Sequence, residues 1–278
     1  PNFMREVNHM NKYIFSVLLL SSFSTLNYAH EPYVAPLSYI TSNTQIPVIS
    51  AYAEQALQPE YALKQPTFNI IQPDQSKTSI ASESTLKSAN LIDLPLPQKG
   101  TYLISSQVSF PLKYVQHNKE WKSFFDMPAD KAKPIKERDY VIPCDFKKAP
   151  TPIEITREWS IQSYISKEET SPVQSTTDSP IQVEFKTHPN NITAQQPIQI
   201  KITKYGQSLK APELVIRAQG QEEDEVTHLT VVSSGFATLN FPHAGQYLIE
   251  VSEKSDKTVK PTNQYYTIIS LGVLPAIK

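Results

Sequence analysis

Prolines stand singly along the whole chain, 23 of them against only 6 glycines in 278 residues. They fall between short apolar runs. Inside a helix a proline removes a hydrogen bond and clashes with the preceding turn. The punctuation therefore suits strands and loops rather than long helices. The shortage of glycine argues against phosphate-cradling loops. No dinucleotide or P-loop fingerprint appears, and neither do GxSxG or HExxH.

Between the prolines, apolar and polar residues alternate with the period of a strand. Gln45–Tyr52, Gly100–Phe110, Trp159–Ser166, Ile181–Phe185, Pro197–Lys204, Glu213–Ala218, His228–Val232, Phe236–Phe241, Gln246–Val251 and Gln264–Val273 all do so. Strands in series with turn signals between them predict an all-β chain of antiparallel β-sandwiches. The best helical candidate is Trp121–Arg138, interrupted by Pro128 and Pro134. The polar stretch KEETSPVQSTTDSP at 167–180 has no apolar period and reads as a linker. The expected organisation is an N-terminal β-sandwich over residues 30–170, a linker at 171–180 and a C-terminal immunoglobulin-like β-sandwich over 181–278. Gly100 and Tyr102 in GTYLISS match Gly245 and Tyr247 in GQYLIEV. This repetition predicts the same edge device in both halves.

The first 29 residues read differently. Met10 is a good start, and Asn11 and Lys12 make a short polar, positive beginning. Tyr13 to Phe23 is apolar but shorter than the roughly 20 residues that span a bilayer. Ala29 follows at a plausible cleavage distance, although Asn27 stands where a small residue is usual. This is the layout of a signal helix that is removed on secretion. The expectation is a periplasmic protein with His30 as its first mature residue and no membrane span after it. Pro1 to His9 lie upstream of that start.

The formal net charge of −1 offers no bulk attraction to nucleic acid or anionic lipid. Cys144 is the single cysteine, so no internal disulfide can form, and stability must come from hydrophobic burial. A half-buried, small apolar role suits Cys144 better than that of a nucleophile.

Five segments carry a resemblance to a known family. They are AHEPYVAPLS (29–38), GTYLISS (100–106) followed by Trp121, REWSIQSYIS (157–166), THPNNI (187–192) and YYTIISLGVLP (265–275). In this order and spacing the chain resembles the domain-of-unknown-function 4198 family, exported bacterial proteins of which some are associated with nickel or cobalt uptake. The resemblance implies a periplasmic accessory whose partner is a metal transporter or an outer-membrane receptor. Two positions depart from the family pattern. Asn191 stands where aspartate is common, and the segment QPEYAL (58–63) has Glu60 but no histidine.

The residues themselves offer four candidate metal ligands: His30, His188, His228 and His243. Once freed by cleavage, His30 presents an amine and an imidazole, a pair suited to nickel, cobalt or copper. Pro32 removes the backbone amide that a square-planar N-terminal site would use, so a side chain from elsewhere must complete the site. His188 precedes a proline in a turn, where an imidazole bonded to backbone is a common structural device. His228 and His243 flank the strand pair around Phe241. His117 lies in a polar turn of the first half. The acidic run QEEDE (221–225) reads as a solvated hairpin tip. No catalytic constellation is present: Cys144 has no assigned base, and Glu168 and Glu169 sit in the linker. The expected function is a non-enzymatic accessory of transition-metal uptake. The alternative is an envelope interaction or structural module without a metal. A copper enzyme with an N-terminal histidine brace would need a second histidine across the site.

Overall fold

Backbone groups unable to form helical ladders must pair between strands, and nearly all the regular structure is strand. The computed structural model describes residues 30–173, 178–209, 211–222, 227–229 and 234–278. The expected signal helix lies outside the described residues, as do parts of the expected linker and of the QEEDE run. The first strands are β1 (Glu31–Pro36), β2 (Ile40–Thr41), β3 (Gln45–Ala53), β4 (Thr67–Ile71), β5 (Lys77–Ala81), β6 (Ser84–Thr85) and β7 (Asn90–Pro95). Then come β8 (Gly100–His117), β9 (Glu120–Phe124), β10 (Tyr140–Val141) and β11 (Ile153–Lys167). The remainder are β12 (Ile181–Phe185), β13 (Ile198–Lys204), β14 (Gln207–Ser208), β15 (Pro212–Ala218), β16 (Thr227–Leu229), β17 (Phe236–Leu239), β18 (Gly245–Glu253) and β19 (Gln264–Val273).

These strands form three sheets. β1, β3, β7 and β6 make the first, and β12, β13, β14 and β17 make the third. Between them lies a central sheet of 11 strands, running β10-β9-β8-β11-β19-β18-β15-β16, with β2, β4 and β5 attached. Its axis is β11, which pairs antiparallel with β8 from Ile153↔Tyr114 to Lys167↔Gly100. On its other edge β11 pairs in parallel with β19, Trp159 opposite Tyr266. The central sheet therefore runs on past the polar 171–180 segment.

Each face of the central sheet is packed. Tyr102, Ile104, Trp159, Ile161, Ile165, Leu248 and Ile268 meet Tyr33, Val48, Ile92 and Leu94 of the first sheet. Leu103, Tyr164, Ile249, Ile269 and Leu271 meet Ile181, Ile200, Ile202 and Leu239 of the third. The result is two β-sandwiches that share the middle layer. Residues 159–167 of β11 are all buried for this reason. Ser160 and Ser166, which the alternating pattern assigns to solvent, and Ser163 are all covered and hydrogen bonded. Ser166 Oγ donates to Asn190 Oδ1 at 2.6 Å, and Ser270 Oγ reaches both Ser163 Oγ at 2.8 Å and the Val34 carbonyl at 2.7 Å.

The repeated glycine–tyrosine signal corresponds to one corner built twice. Gly100 (φ 118°) and Gly245 (φ 140°) take conformations that disfavour a side chain. At Gly100 a Cβ would also stand 2.8 Å from Pro73 Cβ. Two residues on, Tyr102 turns into the first core and Tyr247 into the second. Each hydroxyl donates to the carbonyl four residues back: Tyr102 to Gln98 at 2.9 Å and Tyr247 to His243 at 2.7 Å. A tyrosine tied back to upstream backbone is a hallmark of immunoglobulin-like sandwiches.

The helical candidate Trp121–Arg138 is corrected. Glu120–Phe124 is strand β9, paired with the end of β8. Pro128 and Pro134 then each precede a single 3-10 turn, at Ala129–Lys131 and Ile135–Glu137. The prolines reset the chain before a helix can propagate. Among the described residues no helix is long and apolar enough to cross a membrane.

Ile161 is fully buried at the middle of β11. Ile161→Ala removes contacts that the first sheet cannot close around, and should cost about 2–5 kcal/mol. Urea denaturation followed by circular dichroism measures this directly.

Candidate metal centre

The site is assembled by strand register. β1 and β3 pair antiparallel with Glu31 opposite Ala53, which carries His30 and Glu54 toward each other at the strand ends. The chain then loops out and returns beside β3. Tyr61 bridges back to Tyr52, whose amide donates to the Tyr61 carbonyl at 2.7 Å, and the Glu60 amide donates to the Tyr52 carbonyl at 3.0 Å. This return places Glu60 next to His30. One donor atom each from His30, Glu54 and Glu60 lies within 4.8 Å of the others.

Buried polar anchors hold the loop. Asn90 is fully buried. It accepts from the Leu63 amide at 2.6 Å and donates to the Leu63 carbonyl at 3.0 Å, fixing the returning strand. On the outer side Ala56 exchanges backbone bonds with the turn after β15: its amide donates to Gln221 and its carbonyl accepts from Gly220. Arg217 of β15 is 4 % exposed at its side chain. It donates to the carboxylate of Glu31 and, at 3.2 Å, to the Glu54 carbonyl, tying the ends of β1 and β3 together.

Within the cluster, His30 Nδ1 lies 2.7 Å from Glu60 Oε2. This is an imidazole–carboxylate ion-pair separation, and the nitrogen makes no other hydrogen bond among the described residues. Tyr61 packs edge-on against the imidazole at 5.6 Å and remains 59 % exposed, so one side of the cluster is open.

His188 and His243 lie elsewhere, and the side chain of His228 falls outside the described residues. His188 is a structural latch. Its Nδ1 accepts from the Asn190 amide at 3.0 Å, which places the proton on Nε2 facing the Ser171 carbonyl at 2.8 Å and Thr101 Oγ1 at 3.0 Å. Asn190 in turn donates to the Tyr164 carbonyl at 3.0 Å. The THPNNI turn thus fastens the entry of the third sheet to β8 and β11. Asn191 is exposed beside this latch, away from the His30 cluster. His228 stands on β16 opposite Val215, itself opposite Glu250 in the second half of β18. His243 is exposed just before β18 begins, so the register sets the two toward different ends of that strand. His117 packs edge-on against Phe146 at 5.4 Å. Cys144 is exposed rather than half-buried, lifted to the surface on a 3-10 turn.

Glu54 is the residue that sequence reasoning missed. Its only signal is its position one residue past β3, and that has meaning only once β1 is known to pair there. β1, with prolines at both ends of YVA, shows no alternation.

A model of the family described as "Domain of unknown function (DUF4198)" matches residues 27–255. The chain belongs to that family. No curated protein matches it. Among solved structures it is similar to a tetra-tandem repeat from the extending region of a large adhesion protein, at 8 % identity and a TM-score of 0.22. That match covers 88 % of this chain and 49 % of the other, so the chain spans about half of the adhesion fragment. It is also similar to a two-domain fibronectin type-III segment of chicken tenascin, at 10 % identity and a TM-score of 0.23, covering 87 % of this chain and 99 % of that one. Scores this low carry no weight for function.

Burial pushes the His188 imidazole below its ordinary value, with the Ser171 carbonyl acting in the opposite sense. The folded protein therefore favours the neutral ring. The stability tied to that ring is present above about pH 6.5 and lost as the pH falls through the lower folded value. Thermal unfolding of the wild type should drop more between about pH 7 and about pH 5 than that of His188→Gln. Equal drops would show that the latch does not titrate.

Proposed function

We propose that this protein is an exported, non-catalytic accessory of transition-metal uptake that holds a nickel-, cobalt- or copper-type ion at His30, Glu54 and Glu60. The observation that carries this reading is the convergence of one imidazole and two carboxylates at the start of β1. Bonds of about 2.0–2.2 Å allow donor separations up to about 4.4 Å, so the three groups need close by only a few tenths of an ångström. One nitrogen and two oxygens suit a borderline first-row ion better than calcium or magnesium, which prefer all-oxygen sets. Three protein ligands leave positions open for exchange, as a carrier requires. Cleavage after Ala29 would add the α-amine of His30 as a fourth donor. Delivery to a transporter or an outer-membrane receptor completes the proposed role. Its periplasmic address rests on the leader read from the sequence.

Calorimetric titration of processed protein with nickel(II), cobalt(II), copper(II) and zinc(II) tests this. At least one ion should bind with a Kd well below 1 mM, which is about −4 kcal/mol. His30→Ala, Glu54→Gln and Glu60→Gln should each weaken binding at least about tenfold. Binding should also weaken from about pH 7.5 to about pH 5.5, because protons compete for the ligands. One extra residue before His30 should weaken binding only if the amine is a ligand. If no ion binds below 1 mM, the metal reading fails. The two packed sandwiches then favour an interaction or structural module of the envelope.

A further inference from the structure

The face of the central sheet that packs on the first sheet extends beyond it. There Trp159, Tyr266, Ser252 and Glu213 stand opposite one another in a row across β11, β19, β18 and β15. Above this row opens a cleft of about 750 Å³, within the size range of small-ligand sites. Tyr114 and Trp121 wall one side, and the 253–263 connection is fastened against that side where the Trp121 amide donates to the Lys257 carbonyl at 2.7 Å and Asn263 Oδ1 accepts from the Thr156 amide at 2.9 Å. Both tryptophans of the chain line this cleft.

The lining is aromatic and polar, with its charges largely matched. Trp159 packs against Tyr266 at 5.7 Å, and the Arg157 guanidinium lies 5.3 Å over the Tyr266 ring. Arg217 is paired with Glu31, while Arg157 is held by the neutral Gln264 Oε1 at 2.8 and 2.6 Å. Cationic and anionic side chains line the cleft in nearly equal number. Such a wall gives no net attraction to an ion, and its many polar groups penalise a purely apolar guest. It suits a neutral molecule with apolar faces and a rim of groups that both donate and accept.

We propose that this cleft binds a neutral oligosaccharide. The C–H faces of its sugars lie on the ring of Trp121, an amphipathic side chain suited to such contacts. Its hydroxyls bond to carboxylates such as Glu213 and to the amides and hydroxyls between them. The cleft uses none of His30, Glu54 or Glu60, so it stands or falls apart from the metal reading.

Tryptophan fluorescence of the whole protein reports on the cleft directly. The probes are cellohexaose, xylohexaose, chitohexaose and maltohexaose, with the hexamer of polygalacturonate as a charged comparison. At least one neutral hexamer should shift the emission saturably, with a Kd between about 10 μM and about 1 mM, confirmed by calorimetry. Trp121→Ala and Glu213→Ala, at partly exposed and exposed positions, should each weaken that binding at least about fivefold while the circular dichroism spectrum stays unchanged. Tyr61→Ala, outside the cleft, should leave it intact. The proposal is overturned if no neutral hexamer gives a saturable response at about 10 mM, if only the charged hexamer binds, or if binding survives both cleft substitutions.

Discussion

The structure depends on β11 having partners on both edges. β8 occupies one edge along its whole length, and β19 occupies the other in parallel. Every backbone donor and acceptor on the central stretch is thereby paired, and the strand can be covered on both faces without leaving orphaned polar groups. A strand in this position can serve two cores at once. The first and third sheets each close one sandwich against this shared middle layer.

This sharing explains why the polar residues of β11 are buried. Ser160, Gln162 and Ser166 lie on the face that the third sheet covers. Burying them is tolerable because each hydroxyl or amide finds a partner, as Gln162 does at Ser160 and Ser166 at Asn190. The His188 turn belongs to the same network. Its imidazole joins the layers through Asn190, Ser171 and Thr101.

The candidate metal site follows from the edge of the first sheet rather than from its core. His30, Glu54 and Glu60 are separated in sequence and meet where two strands end and a loop returns. Arg217 and Asn90 are buried polar groups, and each fastens backbone rather than a ligand side chain. The three donors are therefore held by main-chain geometry, while their side chains keep freedom to close on an ion. The aromatic cleft lies past the edge of the same small sheet, where the central sheet outruns its cover.

Much of the strand content was legible in the sequence, because alternation has a two-residue period whatever the strand packs against. The doubled glycine–tyrosine corner was legible for a local reason: a left-handed glycine and a tyrosine bonded four residues back lie within one short segment. His30 and Glu60 were visible as residues, and His30 as a donor. What tertiary structure alone decided was their meeting with Glu54, the structural task of His188 and the burial of the β11 serines. Each depends on the register between distant strands, and register is set by which faces become covered rather than by any local preference of the residues concerned.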